Sequence, residues 1–164
     1  MSDIRIGISG WRYVPWRGDF YPEELTQKNE LKFASRAVNS IEINGSFYSL
    51  KTPKLYAGWF AEVPDDFVYL RLHGDEKLYA SGYTAKALKR WGDRIQEWRE
   101  GSQPADAHLI VAKAVPKRKS RDIFCYFDND IKVRAPYDAR QLLERFDLTQ
   151  GLEVAPGDMQ GVKF

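Results

Sequence analysis

The sequence contains one cysteine, two histidines and no long hydrophobic run, and each shortage excludes a class of protein. Cys125 is the single cysteine among 164 residues, so the chain cannot form an internal disulfide. One thiol and two imidazoles also cannot build a zinc site that needs several thiolates. No stretch of about 18 apolar residues is present, which excludes a transmembrane helix and a membrane partner.

A strong net charge is also missing. The formal charge is +2, which is too close to zero to indicate a polyanionic partner. The segment Met1–Asp3 lacks the basic-then-apolar pattern of a secretory signal, so we expect a cytoplasmic protein. Apolar residues make up 43% of the chain and charged residues 29%, a composition typical of one globular domain.

The hydrophobic pattern predicts four strands that alternate with four helices. Short period-two segments indicate the strands, and apolar stripes near 3.6 residues indicate the helices. Segments 101–121 and 147–164 stay unassigned. The predicted strands are Ile4–Ser9, Ser40–Asn44, Phe67–His73 and Asp122–Phe127, and the predicted helices are Pro22–Val38, Pro53–Val63, Thr84–Glu100 and Ala135–Phe146.

Strand and helix in strict alternation predict an α/β fold with a parallel sheet. The strands differ from ordinary buried parallel strands, because three of them alternate apolar with polar residues. A sheet of barrel type explains this pattern: helices cover the apolar outer face, and the polar face points into the lumen. The alternatives are a solvated sheet face, or an ion pair in the lumen between Glu42 and Arg71.

The polar residues concentrate at the carboxyl ends of the strands, where barrel enzymes carry their chemistry. Ser9 ends the first strand, Glu42 and Asn44 end the second, and Arg71 and His73 end the third. These positions predict a polar pocket at one rim of the sheet.

Aromatic residues crowd the loop after the first strand. They could form the wall of a ligand pocket, or they could form a small core that seals the loop onto the strand ends. Both alternatives stay open at this point. The residues are Trp11, Tyr13, Trp16, Phe20 and Tyr21, with Phe47 and Tyr48 after the second strand.

Several motifs, in the same order, resemble the YecE-like family, known as domain of unknown function 72. The start of the chain resembles the opening of that family in two places, Gly7-Ile8-Ser9-Gly10-Trp11-Arg12-Tyr13 and Trp16 to Pro22. Ile41-Glu42-Ile43-Asn44 with Phe47-Tyr48 is similar to the family's second strand. Tyr69 to Gly74 and Tyr126 to Asp130 are similar to a later strand and to the last strand with its loop.

The resemblance implies a (β/α)₈-barrel relative with a polar pocket and no assigned reaction. It implies a barrel domain over residues 1–146 and a C-terminal tail over residues 147–164. The pocket residues that it implies are Trp11, Tyr13, Glu42, Asn44, Tyr48, Arg71, His73 and Asn129.

The chain is shorter than members of that family, and its third to sixth βα units are missing. A (β/α)₈ barrel needs at least about 200 residues, so four strands cannot close one. We predict either a homodimer or an internally deleted remnant that folds poorly. In the dimer, the strand order within each chain is first, second, seventh, eighth, and the eighth strand pairs with the first strand of the partner.

The residues indicate three functions. In the first, an enzyme acts on a small anionic or phosphorylated ligand, with Glu42 and His73 as catalytic acid and base and Arg71 holding the anion. In the second, a basic run binds nucleic acid or a phosphodiester, although a solvated loop is the simpler explanation of that run. In the third, the chain is a non-catalytic module. No pattern identifies a metal site or a cofactor, and enzyme activity stays open. The basic run is Lys113, Lys117, Arg118, Lys119 and Arg121.

Overall fold

The computed structural model of the protein describes residues 3–42, 67–78, 81–107, 118–129 and 133–157. These residues form four strands, three helices and two short 3₁₀ turns. The strands are β1 (Ile4–Ser9), β2 (Ser40–Glu42), β3 (Phe67–Leu72) and β4 (Asp122–Phe127); the helices are α1 (Glu30–Ala37), α2 (Ala85–Arg99) and α3 (Arg134–Arg145); the 3₁₀ turns are Val14–Trp16 and Gln27–Asn29.

The four strands form one parallel sheet in the order β2-β1-β4-β3. This confirms the α/β fold with a parallel sheet, and the sheet is open. The expected strand order is wrong in one respect: the first and last strands pair within the chain, with Ile6 opposite Cys125. The second and third strands are therefore not neighbours; they lie at the two edges.

The apolar side chains of the strands lie on the face that the helices cover. Ile6 and Ile8 of β1 are fully buried, as are Ile123 and Cys125 of β4. All four pack in one hydrophobic core with residues of α1, α2 and α3. Burial in this core raises the pKa of the Cys125 thiol, so the single cysteine behaves as a small core residue.

The opposite face of the sheet is concave. Three strand-to-strand steps in a flat sheet separate edge strands by roughly 14 Å. Nevertheless the Tyr69 hydroxyl on edge strand β3 donates a hydrogen bond to the Glu42 carboxylate on edge strand β2. Ser40 and Tyr126 also meet across β1, with 3.0 Å between their hydroxyl oxygens. The sheet therefore curls so that side chains from its two edges converge.

Three rows of side chains line the concave face between β3 and β4. Aromatic rings form the first two rows, Phe67 with Phe124 and Tyr69 with Tyr126. An ion pair, Arg71 with Asp128, forms the third. The face is apolar at the amino ends of the strands and becomes charged at their carboxyl ends.

Gly7 allows the close approach of β1 to β2 on this face. A Cβ atom at this position would lie 1.8 Å from the carbonyl oxygen of Ser40, which no real pair of atoms tolerates. A strand glycine typically marks such a backbone approach.

The first predicted helix is too long at its start. The sequence predicted Pro22–Val38, but the helix covers Glu30–Ala37 and follows a 3₁₀ turn. The chain turns after Pro22, whose carbonyl accepts a hydrogen bond from the Leu25 amide at 3.0 Å. Thr26 is extended, with φ −71° and ψ 145°, which stops a helix from running through it.

Helix α2 covers Ala85–Arg99 and so lies within one residue, at each end, of the predicted helix Thr84–Glu100. Thr84 is its N-cap and accepts a hydrogen bond from the Ala87 amide at 3.1 Å. Gly101, with φ +81°, follows its end. A side-chain N-cap and a glycine in the left-handed region are common helix boundaries.

Residues 147–157 pack back onto the helices. Val154 is buried, and the Arg140 guanidinium donates to its carbonyl oxygen at 3.2 Å. Glu153 pairs with Arg36 of α1 at 3.0 Å. The predicted helix over 53–63 and residues 108–117 of the ambiguous segment 101–121 lie outside the described residues.

Within the described residues, none of the helices has the length and apolar character needed to span a bilayer.

Candidate functional site

Six polar side chains from all four strands meet on the concave face at the carboxyl ends of the strands. We call this set the rim cluster. It includes Glu42, Arg71 and His73, which the sequence predicted as site residues. Its members are Ser9, Glu42, Tyr69, Arg71, His73 and Asp128.

Arg71 is the centre of the rim cluster. Its Nη2 donates hydrogen bonds to Asp128 Oδ2 at 2.8 Å and to Ser9 Oγ at 3.1 Å. Its Nε lies 3.4 Å from Glu42 Oε2. The guanidinium is therefore held by groups from β1, from β2 and from the residue after β4, although Arg71 itself belongs to β3.

Glu42 is held from two other strands as well. Ser9 donates a hydrogen bond to Oε2, and Tyr69 donates one to Oε1. The Glu42 backbone carbonyl also accepts a hydrogen bond from the Gly10 amide at 3.0 Å. Both carboxylate oxygens thus face the cluster and not the solvent outside the sheet.

His73 lies beside Asp128 at the outer part of the cluster. Its Nδ1 is 3.1 Å from Asp128 Oδ2, and its side chain is 31% exposed. A carboxylate at Nδ1 orients an imidazole and leaves Nε2 as the nitrogen that exchanges a proton with a ligand. This pair is the part of the cluster best suited to acid–base chemistry.

The charges of the rim cluster do not balance when His73 is neutral. The cluster then holds two carboxylates, Glu42 and Asp128, against the one guanidinium of Arg71.

The aromatic loop after β1 forms a small core. Trp16, Phe20 and Tyr21 are fully buried. Phe20 and Tyr21 meet the Phe33 ring of α1 edge-to-face, with Phe20 and Phe33 centroids 5.4 Å apart, and Trp16 packs on Phe20 and Tyr21. Burial raises the pKa of the Tyr21 phenol, which donates to the Trp11 carbonyl at 2.6 Å. For these three residues the sealing core, and not the pocket wall, is the correct alternative.

Trp11 and Tyr13 lie closer to the strand ends and are half-buried. The Tyr13 hydroxyl donates to the Ser9 carbonyl at 2.6 Å, and its ring packs on Trp16 with centroids 4.6 Å apart. Tyr13 thus borders the rim cluster through the backbone of Ser9. Trp11 lies on the helix side of β2, where it lines a groove.

That groove has a volume of about 370 Å³ and is mostly apolar. It opens beside β2 and is lined by α1 residues and by Ile41, whose neighbours in the strand face the opposite side. The groove is therefore separate from the rim cluster. Its lining is Trp11, Leu31, Ser35, Val38, Asn39, Ser40, Ile41 and Leu152.

Asn129 does not join the rim cluster. Its amide is fully buried and donates to Asp138 Oδ2 at 2.7 Å and to the Ser81 carbonyl at 3.0 Å. Asp138 lies in α3, and burial raises the pKa of its carboxyl group. The resemblance implied that Asn129 contacts a ligand. In the structure, its hydrogen bond to Asp138 ties the end of β4 to α3. Asn44 and Tyr48, the other two predicted ligand-binding residues, lie outside the described residues.

Sequence reasoning placed Ser9 at the predicted polar rim without giving it a role, and it did not select Asp128 or Tyr69 as site residues. Asp128 carries a usable signal, because it follows β4 two positions after Tyr126 and so continues the polar face. Tyr69 precedes Arg71 by two positions and shares its face for the same reason. Strand parity was thus sufficient to find both.

No metal site is evident in the described part of the chain, and the basic run has exposed members there, Arg118 and Lys119, beside one buried member. No group of three or more acidic, histidine or cysteine side chains is placed to hold a metal ion there. Arg121 of the basic run is buried, and its Nη1 donates to the Ser102 carbonyl at 2.9 Å. Lys113 and Lys117 lie outside the described residues.

One family model matches the chain, in two segments. The family is described as "Protein of unknown function DUF72", and the matched segments are residues 5–70 and 66–160. Comparison with curated proteins and with solved structures found no match.

Proposed function

The chain belongs to the DUF72 family of proteins of unknown function, and from that premise we propose that it binds a small anionic molecule at the rim cluster. The family match confirms the resemblance seen in the motifs, and it supplies no reaction. The proposal therefore depends on this chain's own residues.

The observation that carries the proposal is the way Arg71 is fixed. Its guanidinium contacts groups on three other elements, at 2.8 Å, 3.1 Å and 3.4 Å. An arginine held in this way has lost its rotamer freedom before the ligand arrives, so less entropy is lost on binding. A planar, fixed guanidinium suits carboxylate and phosphate groups.

His73 offers a second polar contact beside Arg71. Its Nδ1 lies 3.1 Å from Oδ2 of Asp128, the same carboxylate oxygen that accepts from the guanidinium of Arg71.

The same pair gives the cluster a chemical role. Asp128 fixes Nδ1 of His73, and Nε2 then transfers its proton to a ligand oxygen or accepts one from it. Arg71 stabilises negative charge that develops on that oxygen. We infer a proton-transfer step on a small anionic substrate, with His73 as acid and base; Glu42, which the sequence suggested for that role, positions Arg71.

Inorganic phosphate is the simplest probe. Isothermal titration of the protein with phosphate, at about pH 5.5 and at about pH 8, should show binding. Arg71→Gln should weaken phosphate binding roughly tenfold or more.

Arg5→Gln is the matched control. Arg5 lies in β1 at the opposite end of the sheet, where it pairs with Asp3 at 3.1 Å and is half exposed. The variant Arg5→Gln removes the same positive charge without touching the rim cluster, so phosphate binding should stay unchanged. The proposal fails if phosphate does not bind at either pH, or if Arg5→Gln and Arg71→Gln weaken binding equally in samples with native circular dichroism.

A further inference from the structure

The two edge strands of the sheet present backbone groups with no partner among the described residues. β2 pairs with β1 alone, and β3 pairs with β4 alone. The Leu72 carbonyl accepts from the Asp128 amide, so the peptide groups of Leu72 and of alternate β3 residues face β4. Those of Phe67 and Tyr69 consequently face away from β4.

β2 shows the same arrangement at the other edge. The Glu42 carbonyl faces β1, where it accepts from the Gly10 amide, so the peptide groups of Ile41 point away from the sheet. Exposed strand edges of this kind pair readily with a further strand.

The concave face adds a second reason for association. Phe67 is 41% exposed and Tyr69 47%, and both rings lie on the concave face beside aromatic rings of β4. Leaving these rings in water costs free energy that burial in an interface recovers.

We propose that a second copy of this chain pairs with both edges at once and closes an eight-stranded parallel ring. A two-fold axis along the centre of the ring places β3 of one copy beside β2 of the other, and the same contact recurs on the opposite side. All eight strands then run in the same direction. Eight strands are enough to form a ring whose interior is filled by side chains.

The curl of the sheet favours a second copy over other partners. The contact between Glu42 and Tyr69 shows that β2 and β3 bend toward each other around the concave face. An extended peptide would pair with one edge only and leave the aromatic rings exposed. A second curled sheet with the same strand directions satisfies both edges and covers Phe67 and Tyr69 together.

In the ring, the rim cluster of the second copy lies at the same rim as that of the first, across the centre of the ring. Each copy brings its own Arg71 and His73 to one rim, because all strands end there. The ring goes beyond the proposed ligand site and does not depend on it: phosphate could bind a single copy, and two copies could pair without binding phosphate.

The test is the molar mass in solution. Size-exclusion chromatography with light scattering should give twice the chain mass of 19.0 kDa. Phe67→Glu should shift the protein toward 19.0 kDa, because it places a carboxylate from each copy near the two-fold axis. Leu78→Glu, at a residue 68% exposed and outside the sheet, is the matched control and should leave the dimer intact.

Two results would overturn the ring. One is a wild-type protein of 19.0 kDa at all concentrations, with native circular dichroism and a cooperative melt. The other is a dimer that Phe67→Glu leaves unchanged, since its interface would then lie elsewhere. If Phe67→Glu fails to melt cooperatively, Tyr69→Ser on the same face replaces it, with the same expected loss of dimer and the same contrary result. If a variant loses the dimer and still binds phosphate, the proposed ligand site and its residues are unaffected.

Discussion

Arg71 and Glu42 lie on opposite edge strands of a four-stranded sheet, and Arg71 Nε is 3.4 Å from Glu42 Oε2. In sequence the two residues are separated by a segment that the structure does not describe. The contact exists because the sheet curls, and the curl brings the carboxyl ends of all four strands to one rim. The stability of this contact is the first quantity to test.

Arg71→Gln should destabilise the protein by about 1–3 kcal/mol near pH 7, because it leaves Glu42 and Asp128 close together without a positive charge between them. Urea unfolding of wild type and variant measures this loss. Arg5→Gln breaks an exposed pair and should cost less than about 0.5 kcal/mol. Equal losses for the two variants would show that the rim cluster adds nothing to stability.

Gly7→Ala should cost about 1–3 kcal/mol or more, since its Cβ would collide with the Ser40 backbone and separate β1 from β2. Gly82→Ala is the control, because its Cβ would meet only the flexible Arg134 side chain, 3.0 Å from Cδ. Thermal unfolding of the two variants compares them. A Gly7→Ala protein as stable as Gly82→Ala would mean that the strands are not packed this closely.

Asp138→Asn should change how stability varies with pH. Burial raises the pKa of Asp138 in the folded state, despite hydrogen bonds from Asn129 and the Tyr83 amide. The folded state therefore favours the neutral acid, and that contribution is complete below the unfolded pKa of about 4 and is lost as the pH rises through the folded pKa. The variant cannot ionise, so its stability relative to wild type should increase from about pH 4 to about pH 7.

Asp93→Asn is the control with the opposite sign. The hydrogen bond from Lys89, with the nearby charge of Arg145, lowers the pKa of Asp93. Its stabilising contribution is present above the unfolded pKa and is lost as the pH falls, so this variant should lose stability relative to wild type as the pH rises. Urea midpoints at the two pH values test both. A constant difference for Asp138→Asn would contradict the raised pKa.

Thr84→Ala should cost about 1 kcal/mol, because it removes the side chain that caps α2. Thr26→Ala is matched to it, since Thr26 precedes a 3₁₀ turn and its side chain makes no capping hydrogen bond to that turn. Thermal unfolding should shift for the first variant and hardly change for the second. Similar shifts for both would indicate a general loss of threonine contacts and no cap.

Sequence patterns were sufficient for the elements that hydrophobic periodicity controls. β1 and β4 have the predicted bounds, and α2 and α3 differ from the predictions by a residue at each end. The same alternation correctly placed Glu42 and Arg71 on one face. The start of α1 was wrong because the turn after Pro22 and the extended Thr26 depend on local hydrogen bonds, which a periodic pattern does not contain.

The strand order and the surroundings of single residues could not be predicted from the sequence. Periodicity cannot tell which strands are neighbours, so the pairing of β1 with β4 within one chain was missed. Asn129 shows the same limit, since only the packing of α3 against the end of β4 brings Asp138 to its amide. The cytoplasmic location and the nucleic-acid alternative stay predictions.

A crystal structure of protein purified from cells, with no ligand added, tests the central claim most directly. We expect density for a small molecule within hydrogen-bond distance of Arg71 and His73, at the rim where Glu42 and Asp128 hold them. A map in which this cluster is intact but faces bulk water, with only ordered water beside Arg71, would contradict the account.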